Sequence, residues 1–417
     1  DEKSTLKVVH KHGPCSPHKQ HKVKVPSHEE ILRLDQARVD SIHSKISNSI
    51  AKSKDSATLP ATYGAILGTG NYIATVGFGT PKKDFSLELD TGSDLTWIQC
   101  LPCVRFCYRQ LGPIFNPSKS SSYKNISCNS ATCKTIVSGT GNEPGCLDST
   151  CLYGIEYGDG SFTVGYLAKD TLAITFKYKF PNIVFGCGQY NEGSFGLAAG
   201  LLGLGRDKVS IVSQTEKKFK GIFSYCLPSF SSSTGYLTFG YSRPLPSLIQ
   251  YMYTPFGPLS YATTFYGVIV IGIKVGGSFL PISPLVFSCP GTIFDSGTVI
   301  TRLPPAAYSA LRTAFREEMS EYPTAPAYSI FDTCYNISAY STVSVPTISI
   351  YFANYVEMPI AVYGILYVFS PALACLAFVG NSNDSDLGII GNYQQQTLGI
   401  LYNNRAYKIG IATNGCN

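Results

Sequence analysis

One sequence unit occurs twice in this chain of 417 residues, and no other feature limits the possible fold as strongly. An apolar stretch ends in Asp90-Thr91-Gly92-Ser93, and a second apolar stretch ends in Asp295-Ser296-Gly297-Thr298. Each is followed by two apolar residues and a glycine, Leu201-Leu202-Gly203 and Ile389-Ile390-Gly391, with the glycines 113 and 96 residues after the aspartates. A repeated unit at this distance predicts a chain built from two similar halves.

The residue types of this unit suit a pair of reactive carboxylates. A strand fixes each aspartate at its end, and the glycine two residues later permits a tight turn with close backbone approach. Neighbouring hydroxyls can donate hydrogen bonds that orient the carboxylates and hold the two loops together. A single D-S/T-G triplet is a common turn, whereas a duplicated one with both flanking elements is specific. The candidate catalytic residues are Asp90 and Asp295, and the candidate orienting residues are Thr91, Gly92, Ser93, Ser296, Gly297 and Thr298.

The positions of the histidines exclude other kinds of catalysis. The chain after residue 43 contains no histidine; the six lie at His10, His12, His18, His21, His28 and His43. Ser-His-Asp and Cys-His catalysis and the common catalytic zinc sites all need histidine. Cys100-x-x-Cys103 has no histidine nearby, which favours a disulfide over a metal. Carboxylate chemistry without a metal or organic cofactor remains the expectation.

The composition predicts a large core made mainly of antiparallel β-structure. Hydrophobic residues make up 44% of the chain and charged residues 14%, while Gly (39), Tyr (28) and Pro (25) supply strands and turns. Alternating patterns predict strands, and one apolar period of 3.6 predicts a helix in the second half. The predicted strands are 72–78, 85–90, 265–275, 397–402 and 407–411, and the predicted helix is 304–322.

The first 55 residues differ from the rest in charge and in secondary structure. They contain eleven Lys and Arg against seven Asp and Glu, a net charge of +4 out of the formal +6. Residues 28–53 are predicted to form one helix, capped by Ser27. Its apolar residues form a stripe at Ile31, Leu34, Ile42, Ile46 and Ile50. A basic helical segment followed by a polar linker predicts a propeptide, with a solvated N-terminal arm as the alternative.

The cysteines and sequons indicate a secreted protein. Thirteen of the fourteen cysteines lie between Cys100 and Cys416, a density that fits an oxidising compartment. N-x-S/T sequons at Asn125, Asn336 and Asn383 agree with passage through a secretory pathway. The chain begins without Met or an apolar signal region, so a signal peptide is expected to have been removed. No apolar run is long enough to cross a bilayer, and we expect no membrane association.

Longer motifs resemble the pepsin-like aspartic proteases from about Asn71 to the C-terminus. They are LDTGSDLTWIQC, IFDSGTVITRLP, AAGLLGLGR and IIGNYQQQTL. The cysteine-rich insert at 100–151 and several short motifs are similar to the atypical plant branch, which includes nepenthesin and the chloroplast-nucleoid DNA-binding aspartic protease. These motifs are FGCG at 185–188, FSYCLP at 223–228, DTCYNIS at 332–338 and VVHKHGPCSP at 8–17.

The resemblance implies a fold and a division of the chain. The fold would be all-β and bilobal, with a central cleft, few short helices and an N-terminal helical propeptide. The propeptide would span residues 1–59, the N-terminal lobe 60–245 and the C-terminal lobe 246–417. A flap hairpin would carry Tyr157, Gly158 and Asp159, and Trp97 would lend the flap tyrosine a hydrogen bond. On the residues alone, a buried core role for Trp97 is an equal alternative.

The resemblance also implies an activity. The chain would be a secreted aspartic endopeptidase in zymogen form, hydrolysing peptide bonds at acidic pH through Asp90, Asp295 and an activated water. It would bind peptide substrates, pepstatin-type inhibitors and its own propeptide, need no cofactor and act as a monomer. The expected location is the apoplast, in preference to vacuole or plastid. The implied disulfides are Cys100–Cys103, Cys107–Cys187, Cys128–Cys151, Cys133–Cys146, Cys226–Cys416 and Cys334–Cys375, leaving Cys15 and Cys289 free.

Two other functions remain open at the level of sequence. Lysines at the N-terminus could contact DNA phosphates, although they lack interleaved aromatic residues and the chain from residue 56 onward has a net charge of only +2. The chain could also be a non-catalytic inhibitor on the same fold, although both D-S/T-G loops and Tyr157 are intact. The histidine-rich start further suggests that acidification weakens the propeptide's hold, because its histidines become cationic as the cleft carboxylates protonate.

Overall fold

The fold is seen in a computed structural model of the full chain. The residues it describes are 4–13, 15–17, 26–51, 72–157, 160–193, 195–229, 234–241, 250–259, 264–413 and 415–416, with the backbone alone for 45–51. Strands dominate these ranges and helices are few and mostly short. This confirms the mainly antiparallel all-β class predicted from the sequence.

The strands and helices are numbered in chain order. The strands up to residue 240 are β1 (Thr5–His10), β2 (Tyr72–Phe78), β3 (Lys83–Asp90), β4 (Trp97–Gln99), β5 (Lys124–Asn125), β6 (Gly145–Leu147), β7 (Thr150–Glu156), β8 (Phe162–Ala173), β9 (Lys179–Glu192), β10 (Gly200–Gly203), β11 (Ile222–Cys226) and β12 (Gly235–Phe239). The later strands are β13 (Met252–Pro255), β14 (Tyr266–Val268), β15 (Val270–Val275), β16 (Ser278–Phe279), β17 (Thr292–Phe294), β18 (Thr301–Leu303), β19 (Thr324–Ala325), β20 (Cys334–Asn336), β21 (Ile348–Phe352), β22 (Val356–Pro359), β23 (Leu366–Ser370), β24 (Leu373–Leu376), β25 (Phe378–Gly380), β26 (Gly388–Ile390), β27 (Gly399–Asn403) and β28 (Lys408–Ala412). The helices are α1 (His28–Ala51), α2 (Ala131–Lys134), α3 (Val137–Thr140), α4 (Ile211–Gln214), α5 (Glu216–Phe219), α6 (Pro305–Glu318), α7 (Val362–Ile365) and α8 (Asn392–Gln395). Short 3-10 helices lie at Pro117–Lys119, Pro284–Phe287 and Ala353–Tyr355.

One large sheet joins the two halves of the chain. Within the described ranges it contains fifteen strands, in the order β13-β28-β27-β11-β12-β1-β2-β3-β10-β4-β9-β8-β7-β6, with β5 paired to β8. The remaining strands form a five-stranded sheet, β14-β17-β26-β18-β25, and two four-stranded sheets, β16-β15-β21-β22 and β19-β20-β24-β23. A continuous hydrophobic core runs through both halves, and smaller clusters pack beside it. The arrangement agrees with the expected bilobal fold.

The predicted elements of the body are found with small changes of boundary. The helix expected at 304–322 is α6, which ends earlier, and the strand expected at 265–275 is divided into β14 and β15. The division falls at Ile269, whose side chain is exposed and whose carbonyl accepts a bond from the backbone of Ala353 (2.9 Å). The expected C-terminal hairpin is β27 and β28, paired antiparallel from Gly399 with Ala412 to Asn403 with Lys408.

The N-terminal segment is docked onto the body along its described length. β1 lies between β12 and β2 and pairs antiparallel with both. α1 begins at His28, where the predicted helix begins, and the backbone N–H of Glu30 donates to the capping Ser27 hydroxyl (3.2 Å). Its buried side chains enter clusters of the C-terminal half: Leu32 joins one cluster, and Val39 and Ile42 join another. The segment is therefore part of the folded structure and not a solvated arm.

Four of the six disulfides implied by the resemblance are wrong. The structure contains Cys226–Cys416 and Cys334–Cys375 as expected, but its other pairs are Cys100–Cys187, Cys103–Cys107, Cys128–Cys146 and Cys133–Cys151. Strand order explains the first change, because β4 runs beside β9 and delivers Cys100 next to Cys187. In the insert, Cys133 on α2 is buried against Cys151 on β7, which leaves Cys128 for Cys146. Cys15 and Cys289 are free and exposed.

The three sequon asparagines are exposed. Asn125 lies on β5, Asn336 ends β20, and Asn383 lies in the loop before β26. Glycosylation at these positions stays a prediction. Of the helices in the described ranges, none is long and apolar enough to span a membrane.

Candidate active site

The duplicated sequence unit folds into two matching loops. β3 ends at Asp90, and β10 runs parallel to it with Leu202 beside Leu89 and Gly203 beside Asp90. In the second copy β17 ends just before Asp295, and β26 runs parallel to it with Ile390 beside Phe294. The apolar pairs before the two glycines thus form the strands that support the aspartate loops.

The two copies also share a hydrogen bond between a supporting strand and its loop. The backbone N–H of Gly203 donates to the Thr96 hydroxyl (3.0 Å), and that of Gly391 donates to the Thr301 hydroxyl (3.1 Å). A Cβ at Gly391 would lie 2.5 Å from the Val299 carbonyl oxygen, so the strand and loop can approach this closely only at a glycine. The sequence repeat therefore reflects a repeat of packing.

Each aspartate is buried and held by its own loop. The exposed fraction is 2% for Asp90 and 0% for Asp295. The N–H of Gly92 donates to Asp90 Oδ1 (2.9 Å), and the N–H of Gly297 donates to Asp295 Oδ1 (3.0 Å). A Cβ on Gly92 would lie 2.7 Å from Asp295, and one on Gly297 would lie 2.6 Å from Asp90. Both glycines are needed because each leaves room for the opposite carboxylate.

Hydroxyl groups join the loops to each other. The N–H of Thr91 donates to the Ser296 hydroxyl (3.1 Å), and the N–H of Ser296 donates to the Thr91 hydroxyl (2.9 Å). The Thr298 hydroxyl donates to Asp295 Oδ2 (2.5 Å). Ser93 differs from this expectation, because its buried hydroxyl has no hydrogen-bond partner within the described part of the chain. Three of the four predicted hydroxyls therefore form hydrogen bonds that join the loops or contact a catalytic carboxylate.

An arginine from the N-terminal helix lies on both carboxylates. Arg38 Nη2 is 2.6 Å from Asp90 Oδ1 and 3.0 Å from Asp295 Oδ1, and Nε donates to Asp295 Oδ2 (3.0 Å). Nε also donates to the Thr298 hydroxyl (3.3 Å). Because a single nitrogen contacts both Oδ1 atoms, the carboxylates form a close pair. The position between them is filled by the guanidinium.

The charge of Arg38 controls the ionisation of this pair. Burial by itself raises the pKa of Asp295, but the charge and hydrogen bonds of Arg38, the Thr298 hydroxyl and the Gly297 N–H together hold it below its ordinary value. Burial by itself lowers the pKa of Arg38, and the charges of Asp295 and Asp90 raise it well above its ordinary value. The docked helix therefore favours an ionised Asp295 against a cationic guanidinium.

The predicted flap residue and tryptophan are in contact. β7 and β8 form a hairpin, and Trp97 Nε1 donates to the Tyr157 hydroxyl (2.8 Å). The rings of both residues pack edge-on against Phe195, at 4.8 and 5.8 Å between centroids. Burial and then the nearby charge of Asp90 raise the pKa of Tyr157 well above its ordinary value, so the phenol stays protonated. Gly158 and Asp159 lie outside the described residues.

Sequence reasoning missed two ionic contacts between α1 and the body, which are made by Asp35 and Arg38. A signal for Arg38 was present in the predicted stripe, whose members Leu34, Ile42, Ile46 and Ile50 leave one gap in a spacing of four. Residue 38 fills that gap. A cation in the centre of an apolar helix face needs an anionic partner on the surface it covers.

The described ranges of the chain contain no cluster of side chains suited to a metal ion. No group of three or more His, Cys, Asp or Glu side chains in these ranges is arranged to hold a metal ion. The two carboxylates are contacted instead by Arg38 and by hydroxyl and backbone N–H donors.

The sequence is similar to plant aspartic proteases over nearly its full length. Residues 72–241 match the family described as Xylanase inhibitor N-terminal, and residues 265–413 match Xylanase inhibitor C-terminal. An aspartyl protease family protein of Arabidopsis thaliana is 52% identical over 100% of this chain and 88% of its own length. Aspartic proteinase nepenthesin-2 of Nepenthes gracilis is 39% identical over 77% of this chain and 72% of its own length.

A solved structure supports the fold. The crystal structure of edgp superimposes with a TM-score of 0.65 at 21% sequence identity, covering 82% of this chain and 91% of that one. At this identity the likeness concerns the fold, and the activity must be judged from the site itself.

Proposed function

The chain belongs to the atypical plant branch of the pepsin-like aspartic proteases and is an aspartic endopeptidase, and we propose that it is made as a secreted zymogen. In this proposal, residues 1–59 inhibit the enzyme until acidification removes them. The mature enzyme then hydrolyses peptide bonds of protein substrates at acidic pH. We expect the N-terminal segment to be cut within residues 58–68, which lie outside the described residues.

The paired aspartates supply the chemistry of hydrolysis. Two carboxylates this close cannot both ionise at mildly acidic pH, so the pair shares one proton. The ionised member takes a proton from a water molecule, and the protonated member donates to the carbonyl oxygen of the scissile bond. The product of this step is a tetrahedral diol without a covalent bond to the enzyme. The shared proton belongs to the pair and not to either residue. In this proposal the flap that carries Tyr157 closes over the bound substrate.

The observation that carries the zymogen proposal is the position of Arg38. Its guanidinium lies 2.6 and 3.0 Å from the two aspartates, where water and the scissile carbonyl must bind. A charge-assisted hydrogen bond of this kind is among the stronger protein contacts, and here it is mostly buried. The helix that carries Arg38 is an obstacle to catalysis as long as it stays docked.

Secretion is supported by the cysteines. The six disulfides of the structure fit an oxidising compartment, and the three sequon asparagines are accessible to glycosylation. We place the mature enzyme in the apoplast in preference to vacuole or plastid, as a monomer that pepstatin-type inhibitors bind.

The alternatives have less support. Lys11, one of the lysines available for DNA, is buried and forms an ion pair with Glu88 (2.6 Å), so it is not accessible to phosphates. A non-catalytic inhibitor has no need of both catalytic aspartates, and here both are intact and close together. Nothing in the geometry favours either function over hydrolysis.

The first prediction concerns acid activation. The purified chain is moved from pH 7 to pH 3 in steps, with and without pepstatin, and each sample is tested on denatured protein and sequenced at its N-terminus. We expect a new N-terminus near residue 60 and hydrolysis that pepstatin blocks. Arg38→Gln removes the cation from the carboxylates and should therefore activate at higher pH than the unaltered chain.

The control is Arg109→Gln, which removes the same charge from an exposed position in the N-terminal half of the chain. It should activate at the same pH as the unaltered chain. Equal activation profiles for both variants would show that Arg38 does not hold the zymogen closed. Absence of pepstatin-sensitive hydrolysis at every pH would contradict the proposed activity itself.

A further inference from the structure

A second ion pair joins α1 to the C-terminal half of the protein. Asp35 and Arg302 are both buried, with exposed fractions of 0% and 1%, and Arg302 Nη2 donates to Asp35 Oδ2 (3.0 Å). The backbone N–H groups of Val299 and Ile300 also donate to the two oxygens of Asp35, at 2.5 and 3.1 Å. The body thus offers three donors to one carboxylate, and all three lie just after the catalytic loop of Asp295.

The surroundings of Arg302 are supplied largely by α1. Nη2 also donates to the Gln36 side chain (3.3 Å), and the charge of Asp40 acts on the same guanidinium. Within the C-terminal half, Arg302 Nη1 donates to the backbone carbonyl of Ile300 (3.0 Å). Its Nε is buried and has no hydrogen-bond partner in the described part of the chain. Burial lowers the pKa of Arg302, and the charge of Asp35 opposes this.

When α1 leaves, Arg302 loses most of its hydrogen-bond partners and part of its burial. The guanidinium then loses its carboxylate, the Gln36 oxygen and the cover of the helix, and keeps the Ile300 carbonyl. A partly buried guanidinium without an anion is unfavourable, and its planar donors fit a carboxylate in two-point contact. The vacated position therefore suits another acidic side chain.

The position lies within reach of a substrate at the catalytic centre. Asp35 and Arg38 are three residues apart on one face of α1, which is about 4.5 Å along a helix axis. An extended peptide advances about 3.3 Å per residue. When the scissile bond of a substrate takes the place of Arg38, a substrate residue within three positions of that bond can bring its side chain to Arg302.

We propose that Arg302 is a specificity-determining residue, which binds an acidic side chain of the substrate after α1 has left. Asp35 holds that position in the zymogen, and substrates with Glu or Asp within three residues of the scissile bond replace it in the mature enzyme. The proposal rests on the proposed function, because it requires removal of the N-terminal segment. Arg302 has no part in the chemical step.

The test compares substrates that differ in one charge. Acid-activated enzyme is given six peptide pairs, each with Glu or Gln at one of the three positions on either side of a common scissile bond. At pH 5 we expect kcat/KM to favour Glu by about ten-fold at one position, mainly through KM. At pH 3 the ratio should fall towards one, because a glutamate side chain protonates near pH 4.

Variants separate Arg302 from the rest of the cleft. Arg302→Gln should remove the preference at pH 5, and Arg302→Lys should keep part of it, since the charge remains but the two-point geometry is lost. Arg405→Gln is the control, at an exposed position in the same half of the chain, and should keep the full preference.

The outcomes distinguish this inference from the proposed function. Hydrolysis of all peptides with Glu/Gln ratios near one at pH 5 would overturn the inference, whether or not the variants fold. A preference that Arg302→Gln retains would overturn it as well. No pepstatin-sensitive hydrolysis of any peptide would instead count against the proposed function.

Discussion

The two catalytic loops are not equivalent at the level of single residues. Asp295 receives a bond from the Thr298 hydroxyl, whereas the matching hydroxyl of Ser93 makes none to Asp90 in the described structure. A donor to a carboxylate stabilises its ionised form. After Arg38 has left, Thr298 and the Gly297 N–H are the groups that still lower the pKa of Asp295. The asymmetry gives only one carboxylate of the pair a hydroxyl donor in addition to its glycine N–H.

A second prediction follows for Thr298→Val in the mature enzyme. The substitution keeps the shape of the side chain but removes the donor, so the lower apparent pKa of the pair should rise. The acidic limb of the kcat/KM profile should then move upward by about half to one pH unit. Ser93→Ala, at the matching position of the other loop, should shift that limb less. Equal shifts would mean that the hydrogen bond to Asp295 does not set the ionisation.

What the sequence could predict at this scale depended on how local each contact is. Asp90, Asp295 and their glycines lie within motifs of four consecutive residues, which are enough to predict the role of each aspartate. The structure brings the two motifs together. The contacts of Arg38 with Asp295 and of Arg302 with Asp35 each join residues more than 250 positions apart, so both depend on where α1 docks. A helical pattern predicts that a helix exists but not which surface it covers.

The N-terminal elements show the same limit. α1 was predicted from its apolar period, but β1 was not, because it is short and its hydrogen-bond partners β12 and β2 are distant in sequence. β1 also carries His10, whose pKa is strongly shifted. His10 is partly buried edge-on against Tyr72, at 5.3 Å between ring centroids, and Lys11 is its neighbour. Burial, and then the charge of Lys11, lower the pKa of His10 to about 4.

A third prediction concerns the docking of β1 between pH 7 and pH 4. Because the docked pKa of His10 is about 4 and the ordinary value is 6.5, docking is fully favoured above pH 6.5 and weakens as the pH falls to 4. The loss amounts to at most about 3 kcal/mol. His10→Phe cannot take up a proton, so β1 should stay protected in acid. Hydrogen exchange of residues 5–10, measured in short pulses after acidification and before the N-terminal segment is cut, tests this directly.

His12→Phe is the control, because its backbone N–H still donates to His10 Nδ1. It should lose protection in acid as the unaltered chain does. Protonation of Asp295 below its ordinary pKa neutralises its ion pair with Arg38 and therefore weakens the docking of α1 in acid. Protonation of Asp35 has the opposite effect on docking, because burial raises the pKa of Asp35 in the docked state. Protection lost at the same pH in His10→Phe and the unaltered chain would remove His10 from the mechanism.

At the scale of the whole molecule, the two halves are held together by more than the catalytic loops. β13, β27 and β28 from the C-terminal half of the chain belong to the same sheet as β11 and β12, and Cys226–Cys416 ties β11 to the last residues of the chain. The bilobal fold was predictable from the repeat, but this shared sheet was not, since it pairs strands about 180 residues apart. The wrong disulfide pairs have the same origin, because strand order decides which cysteines meet.

A last prediction compares two disulfides that close very different loops. Cys226–Cys416 spans 190 residues and Cys103–Cys107 spans four. Loop-closure entropy assigns them about 5 and about 2 kcal/mol respectively. The Cys226→Ala/Cys416→Ala variant should therefore have a lower unfolding midpoint than Cys103→Ala/Cys107→Ala, measured at one scan rate and pH. A larger loss from the short loop would mean that local strain in the insert, and not the joining of the two halves, limits the stability of this protein.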